Sequence, residues 1–164
     1  MDDTGMTHAD KVGLVEDVLV TWGEDLEFGV PAIDNEHKRL MELANQVYTM
    51  VKTEDDPKVL MAAFSELREY ASRHFTQEEE FMVRMDYPET VDHRRQHQIF
   101  IERLDALAKD YRTGAPIRGI DVIGLLGNWW QSHIKGSDGK VAQFAAARKS
   151  GNQTKSQALP RQAA

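Results

Sequence analysis

The sequence predicts an all-α protein, an up-down-up-down antiparallel four-helix bundle with an N-terminal arm and a disordered C-terminal tail. Three observations predict it. The 164 residues include only 5 prolines and 11 glycines, so long stretches lack a helix breaker. Four segments repeat apolar residues at the three- and four-residue spacing of a helix. Short connections join these segments, which favours antiparallel neighbours in a bundle.

The first predicted helix follows a loop. Residues 22–31 are expected to form an extended loop over the bundle, with Trp22 and Phe28 as its apolar anchors. Asp34 is a good N-cap residue, so we expect the first helix to begin there. The helical spacing continues to about Lys52.

The second and third predicted helices have clear boundaries. Asp56 followed by Pro57 is typical of an N-cap with proline at the first helical position. The second helix is expected from there to about Met85. Thr90 can cap the third helix, which is expected to continue to about Arg112.

The fourth predicted helix spans about Ile117 to Lys135, and we expect Gly136 to end it. These elements divide the chain into three parts. Residues 1–20 are a variable arm, and residues 21–146 form the bundle. Residues 147–164 are polar and lack an apolar stripe, so we expect them to be disordered.

The composition restricts the class of protein. Hydrophobic residues make up 41% and charged residues 29%, which is typical of a globular protein. Cysteine is absent, which excludes disulfides and thiolate-bound metals. No apolar run is long enough to cross a bilayer, and the acidic N-terminus lacks the apolar region of a secretory signal. We therefore expect a cytoplasmic protein without membrane insertion.

The net charge of -7 argues against nucleic-acid binding as the main function. The charge is also uneven, because residues 1–36 contain ten acids and one base, whereas residues 140–164 contain five bases and no acid. Solvated tails are the simplest interpretation. The alternative is that the charged tails bind a protein partner. We expect the chain to be a monomer.

Seven polar side chains recur at the spacing of metal ligands. Residues four apart share one face of a helix, so such pairs can reach one metal centre together. The set is His37, the pair His74 and Glu78, the pair His93 and His97, and the pair His133 and Asp138. In an antiparallel bundle, all four groups fall at the same end of the helices.

His133 and Asp138 are five residues apart. On a continuous α-helix five residues turn by about 500°, which places them on different faces. We expect the helix to stop at Gly136, so that the chain can curl back and bring Asp138 to the site.

Five imidazoles and two carboxylates are too many ligands for one ion and suit two. This donor set favours iron, manganese, zinc or copper over calcium or magnesium. Two other metalloprotein classes do not fit. Ferritin-like enzymes use Glu-x-x-His motifs, and zinc proteases use His-Glu-x-x-His, and the sequence contains neither.

The ordered set resembles that of the hemerythrins, specifically the single-domain bacterial hemerythrins. The matching segments are Trp22 followed by GVPAIDNEH, HFTQEE with Met82 after it, YP before HRRQH, and WWQSHIKGSD. The resemblance covers roughly residues 20 to 145. It implies a hemerythrin-like bundle around a non-haem centre of two Fe ions, joined by an oxo or hydroxo bridge, that binds dioxygen reversibly.

The resemblance also implies a role for each residue. The implied ligands are His93, His97 and His133 for one iron, His37 and His74 for the other, and Glu78 and Asp138 as bridges. The second iron then has an open position for dioxygen, and the side chains implied to surround it are Leu40, Phe75, Trp129 and Ile134. We expect oxygen storage, delivery or buffering rather than an enzyme. An oxygen or redox sensor, or a protein that removes peroxide or nitric oxide, are the alternatives.

Overall fold

A computed structural model describes residues 18–54 and 56–157, with side chains as far as residue 150. Within these ranges all regular structure is helical and there is no strand. The predicted arm lies outside the described residues except for its last three positions. None of the described helices is long and apolar enough to span a bilayer. The cytoplasmic location stays a prediction.

Four helical arms form a bundle in the described part of the chain. Their bounds are α1 Pro31–Lys52, α2 Pro57–Arg84, α3 Thr90–Arg112, and a fourth arm that begins with α4 Gly119–Val122. Helix α1 packs on α2, α2 packs on α3, and the fourth arm packs on both α1 and α3. The four-helix bundle is confirmed, whereas its up-and-down course stays a prediction.

The fourth arm is unusual because it changes helix type along its length. After α4 it passes through two π-helical segments, Ile123–Gly127 and Trp130–Asp138, and continues as α5, Gly139–Gln157. The two residues between the π-helical segments are α-helical, so the helical backbone is unbroken. π-Helices are rare and occur mostly as single turns near functional sites.

The predicted end of the fourth helix at Gly136 is therefore wrong. Gly136 lies inside the second π-helical segment, and it is not among the described residues with a positive φ. The helix also continues to Gln157, so disorder after residue 146 is wrong up to that point. Residues 140–157 contain good helix formers and no proline, which explains a helix without an apolar stripe. Residues 158–164 lie outside the described range, and the bundle–tail boundary stays a prediction.

The observed starts of the helices agree only in part with the predicted ones. Asp56 caps α2 as predicted, because its Oδ1 accepts a hydrogen bond from Lys58 N at 2.7 Å. Asp34 is not the cap of α1, which begins at Pro31. Its carboxylate instead accepts hydrogen bonds from the backbone N–H groups of the preceding loop. Thr90 is the first residue of α3 rather than its cap.

The loop before α1 covers the end of the bundle. It contains a short 3₁₀ turn, Glu24–Leu26, rather than being extended throughout. Phe28 is buried as predicted and packs against His37 with ring centroids 6.2 Å apart. Trp22 is partly buried against the main core. The loop therefore lies directly over one of the predicted ligands.

The main hydrophobic core runs through the bundle and includes Leu26 of that loop. Its most buried members include Leu43, Val47, Leu67 and Leu104, each at most 1% exposed. A second, smaller cluster contains Phe28, Ile33, Met82, Tyr87 and Val141. The predicted ligands are buried near this second cluster, so apolar packing surrounds them.

Candidate metal centre

All seven predicted ligand side chains are buried, with no more than 2% of any residue exposed. They come from every arm of the bundle. Helix α1 provides His37, α2 provides His74 and Glu78, α3 provides His93 and His97, and the second π-helical segment provides His133 and Asp138. They are also all the buried polar or charged side chains of the described residues.

The seven side chains form two groups with metal-ligand spacing. One group contains Glu78, His93, His97, His133 and Asp138, and the other contains His37, His74 and Glu78. Within each group, one donor atom per residue lies within 4.8 Å of the others. Glu78 belongs to both groups, so two ions held there would share it.

Asp138 also faces both groups. Its Oδ1 lies 3.1 Å from Nε2 of His93 and 3.1 Å from Nε2 of His133. Its Oδ2 lies 3.4 Å from Nε2 of His37. One carboxylate therefore presents one oxygen to each group, as a bridge between two metal ions requires.

The outer nitrogens of three histidines have acceptor partners. The three pairs are His74 Nδ1 with Glu36 Oε2 at 2.9 Å, His97 Nδ1 with Glu79 Oε1 at 2.9 Å, and His133 Nδ1 with Gln96 Oε1 at 2.8 Å. Each partner accepts, so each Nδ1 carries the proton and donates. The Nε2 lone pairs must then point into the site, which is the usual arrangement of metal-bound imidazoles.

The inner atoms of the site lack hydrogen-bond partners. Eight buried side-chain nitrogens and oxygens of the described residues have none, and all eight belong to the predicted ligands His37, His74, Glu78, His93 and Asp138. Buried polar groups are almost always paired, because leaving one unpaired costs roughly 1–3 kcal/mol. Apart from Nδ1 of His37, which lies on the other side of its ring from Nε2, these atoms belong to the two clustered groups, as bound cations would require.

The remaining two inner nitrogens point to the same conclusion. Nε2 of His97 lies 3.0 Å from Nε2 of His133. Since both rings are protonated at Nδ1, neither Nε2 has a hydrogen to donate while the rings are neutral. Two lone pairs this close repel each other, and a cation bound by both nitrogens would offset that repulsion.

The carboxylates stay ionised although they are buried. Burial raises the pKa of Asp138, but the surrounding imidazoles, His133 first, hold it well below the usual value. Burial and the charge of Asp138 also raise the pKa of Glu78, and nearby imidazoles outweigh both and lower it to about 2. Burial lowers the pKa of His93, but the two carboxylates raise it to about 9. The metal-free pocket therefore holds anionic oxygens that a cation can bind.

The π-helical segment explains how His133 and Asp138 meet. In a π-helix the hydrogen bonds join residues five apart, so such residues lie one above the other on the same side. An α-helix would place them on different faces. The predicted curling back of the chain is unnecessary, because the wider turn of Trp130–Asp138 brings both side chains to the site.

An apolar cavity of about 10 Å³ lies beside the site. Its lining includes Leu40, Phe75 and Trp129, three of the four residues predicted to surround the open metal position. Phe75 stacks on His97 at 4.0 Å, and Trp129 stacks on His133 at 3.8 Å. Ile134 is buried in the same core but does not line this cavity.

Two of the three outer partners of the histidines, Glu36 and Gln96, are not predicted from the sequence, whereas Glu79 is a candidate for orienting a ligand. Glu36, Gln96 and Glu79 each adjoin a predicted ligand in the sequence, yet each bonds a histidine of the next helix along the chain. The signal in the sequence is a polar residue directly beside a predicted ligand. Spacing within a single helix does not show which histidine of the neighbouring helix that residue will bond.

Comparison with known proteins agrees with the geometry. Residues 29–145 match the hemerythrin HHE cation binding domain. A bacteriohemerythrin of Clostridium acetobutylicum is 30% identical over 126 residues, which cover 73% of this chain and 96% of the relative. A bacteriohemerythrin of Stenotrophomonas maltophilia is 30% identical over 141 residues, which cover 81% and 91%. A hemerythrin-like protein of Naegleria gruberi is 27% identical over 119 residues, which cover 73% and 87%.

The matched region contains the entire buried polar cluster, from His37 to Asp138. A cluster of histidines and carboxylates with inward, unpaired donor atoms fits a non-haem iron site. Sequence similarity and site geometry thus lead to one assignment, and the chain belongs to the hemerythrin family.

Proposed function

We propose that this protein binds dioxygen reversibly at a di-iron centre, for storage, delivery or buffering. The observation that carries the proposal is the set of eight unpaired buried donor atoms, all of which belong to the seven clustered side chains. Folding alone does not favour such a set, because burying unpaired polar atoms costs free energy. Metal binding does.

The proposed division of ligands follows the two groups. His93, His97 and His133 hold one iron, and His37 and His74 hold the other. The contacts of Asp138 support this division, since Oδ1 faces His93 and His133 at 3.1 Å each while Oδ2 faces His37 at 3.4 Å. Glu78 is the second bridge, because its Oε2 lies 3.8 Å from His74 Nε2 and 3.4 Å from His97 Nε2.

The unequal number of imidazoles supports a binding role. Three imidazoles would serve one ion and two the other, so the second ion would have fewer protein ligands, as reactive metal sites do. Bound iron would supply the redox chemistry by which dioxygen is held and released. His37 and His74 orient this side of the centre, and Phe28 packs over His37 and covers it.

The surroundings favour binding over turnover. The described side chains that line the small cavity beside the site are all apolar or aromatic, and none carries an acid or base. Such a cavity excludes water and offers no extra proton donor to a bound ligand. We therefore propose that the protein is not an enzyme in its main function.

The test is a spectroscopic oxygen cycle. The iron-loaded, reduced protein is mixed with aerated buffer, and the visible spectrum is followed through removal and return of oxygen. We expect two irons per chain and a charge-transfer band that appears with oxygen and fades on its removal. Irreversible bleaching without that band contradicts reversible binding. Sustained turnover of peroxide or nitric oxide with a reductant would favour the detoxifying alternative.

A sensor function is the second candidate, and one observation favours it. The bridging residue Asp138 is followed directly by α5, which continues as a basic helix to Gln157. A change at the metal centre that moves Asp138 would move this helix as well. Hydrogen exchange of residues 139–157 in oxygenated and deoxygenated protein tests this, and identical protection in both states contradicts it.

A further inference from the structure

The second π-helical segment needs support from outside its own backbone. π-Helical geometry is rare, and it usually lasts for a single turn, but Trp130–Asp138 extends over nine residues. An α-helical rearrangement of the same residues would turn Asp138 away from His133. Something must therefore favour the π-helical form where these two side chains meet the site.

Gln96 of α3 contacts this segment at two points. Its Oε1 accepts a hydrogen bond from His133 Nδ1 at 2.8 Å and another from Ser137 Oγ at 2.8 Å. Ser137 immediately precedes Asp138. One oxygen atom of Gln96 therefore binds the segment at His133 and again at the residue before Asp138. Both hydrogen bonds are partly buried, which protects them from competing water.

We propose that Gln96 is a positioning residue that fixes the π-helical segment, so that His133 and Asp138 face the same metal centre. The proposal rests on the proposed function in that the ligands serve a metal. Gln96 acts through His133 and Ser137 and touches no metal itself. Because Gln96 is on α3 and its two partners are on the fourth arm, its hydrogen bonds also hold these two arms together.

The chemistry of an amide suits this position. The corresponding partners of His74 and His97 are carboxylates, Glu36 and Glu79, each at 2.9 Å. An amide oxygen accepts two hydrogen bonds, as a carboxylate can, but adds no charge. A carboxylate at position 96 would keep both acceptor contacts and make the imidazole of His133 a stronger electron donor. The effects of geometry and of charge can therefore be separated by substitution.

The experiment compares four variants of the full chain. Gln96→Leu removes both hydrogen bonds, Ser137→Ala removes one, and Gln96→Glu keeps both acceptors while adding charge. Ser132→Ala is the matched control, because its hydroxyl bonds only Asn128 O on the same helical arm. The measurements are amide hydrogen exchange of residues 130–138 in metal-free protein, iron affinity by chelator competition, and the reduction potential of the iron-loaded protein.

We expect Gln96→Leu to speed exchange of the segment by about tenfold or more, since two hydrogen bonds are lost. Its iron affinity should fall by about 10- to 100-fold, the usual effect of removing an outer partner. Ser137→Ala should show a smaller change of the same kind, and Ser132→Ala should behave like wild type. Gln96→Glu should keep wild-type exchange, bind iron at least as tightly as wild type, and have a more negative reduction potential.

Two results would overturn the proposal. One is wild-type exchange in Gln96→Leu and Ser137→Ala, even if affinity falls, because Gln96 would then act on the imidazole alone. The other is exchange in Gln96→Glu as fast as in Gln96→Leu. Should Gln96→Leu fail to fold, the Ser137→Ala and Gln96→Glu results still decide. Failure of the wild type to take up iron contradicts the proposed function, whereas the exchange data test the positioning role without metal.

Discussion

The two halves of α2 show how one helix face can serve packing and metal binding. In its first half the inward positions are Leu60, Phe64 and Leu67. In its second half, His74 lies seven residues after Leu67 on the same face, and Glu78 follows four residues later. All five are at most 3% exposed. The same burial has opposite energetic signs in the two halves. An apolar side chain gains about 1.5–3 kcal/mol when buried, whereas an unpaired polar one loses free energy.

This difference indicates that the apolar half of α2 stabilises the bundle, and that the folded bundle keeps His74 and Glu78 in position to bind metal. The main core contains residues of α1, α2, α3 and the fourth arm, whereas the unpaired atoms all belong to the polar cluster. If so, substitutions in one half should affect stability and substitutions in the other should affect metal binding. The following predictions test that separation.

The largest effect is expected from Asp138→Ala, which removes the carboxylate that faces both groups. We expect iron affinity to fall by more than about 100-fold, because loss of an outer partner alone costs 10- to 100-fold. The oxygen-dependent band should disappear. Metal analysis and the visible spectrum measure both effects, and Asp110→Ala, an exposed position on α3, is the control. An unchanged spectrum would falsify the assignment of Asp138 as a bridge.

The next effect is on folding. Leu60→Ala should lower the free energy of unfolding by about 2–5 kcal/mol, because it leaves a cavity in the core. Leu60 is fourteen residues before His74, about 21 Å along the helix, so the loss should be the same with and without iron. Urea titration of both forms measures it, with the volume-conserving Leu60→Met as the control. A much larger loss in the iron-loaded form would contradict the separation of the two halves.

Within a single pH unit, the change in iron affinity should be smaller than the effect of Asp138→Ala. Imidazoles bind metal only when neutral, and the carboxylates raise the pKa of His93 to about 9. Below that pH a proton competes with the metal, so affinity should rise by about tenfold per pH unit for each proton displaced. Competition titrations between pH 6 and 9, with proton release followed in weak buffer, measure this. A constant affinity over that range contradicts it.

The smallest effect is expected at the surface between α2 and α3. Arg68 and Asp105 form an exposed ion pair with Nε and Oδ1 2.5 Å apart, and each side chain is 46% exposed. Exposed pairs contribute about 0.2–1 kcal/mol, so Arg68→Ala should lower stability by no more than that and leave iron binding unchanged. The same urea and metal assays apply, at low and high salt. A change in iron content would show that the surface and the site are coupled.

Much of the fold could be predicted because it depends on local signals. The apolar period located four helical arms, and Asp56 with Pro57 fixed the start of α2 because capping is a local interaction. Asp34 had the same local signal but bonds the loop before α1, since Pro31 allows the helix to begin earlier. Hydrogen bonds to the adjoining loop decided that case, and capping preferences alone do not predict them.

The residues of the site could be predicted from the sequence, but the backbone conformation that brings His133 and Asp138 together could not. Residues four apart on a face identified His74 with Glu78 and His93 with His97, and the structure places all seven side chains together. Their role as ligands stays a prediction. α-Helical spacing does not predict the π-helical segment, because on an α-helix the five-residue interval from His133 to Asp138 indicates a helix end. Gln96 was missed because its partners lie on another arm.

The wide turn before Asp138 also determines how the fourth arm tolerates insertions and deletions. A π-helical turn accommodates one residue more than an α-helical turn of the same rise, so deleting a single residue such as Gly136 would restore ordinary helical winding. Everything downstream would then keep its orientation relative to the bundle, including Val141 and Phe144, which pack on the cluster around Phe28. His133 and Asp138 would become four residues apart, which is the spacing of one α-helical face, so homologues aligned with a one-residue gap here should be expected to lack the wide turn and still bring both side chains to the site.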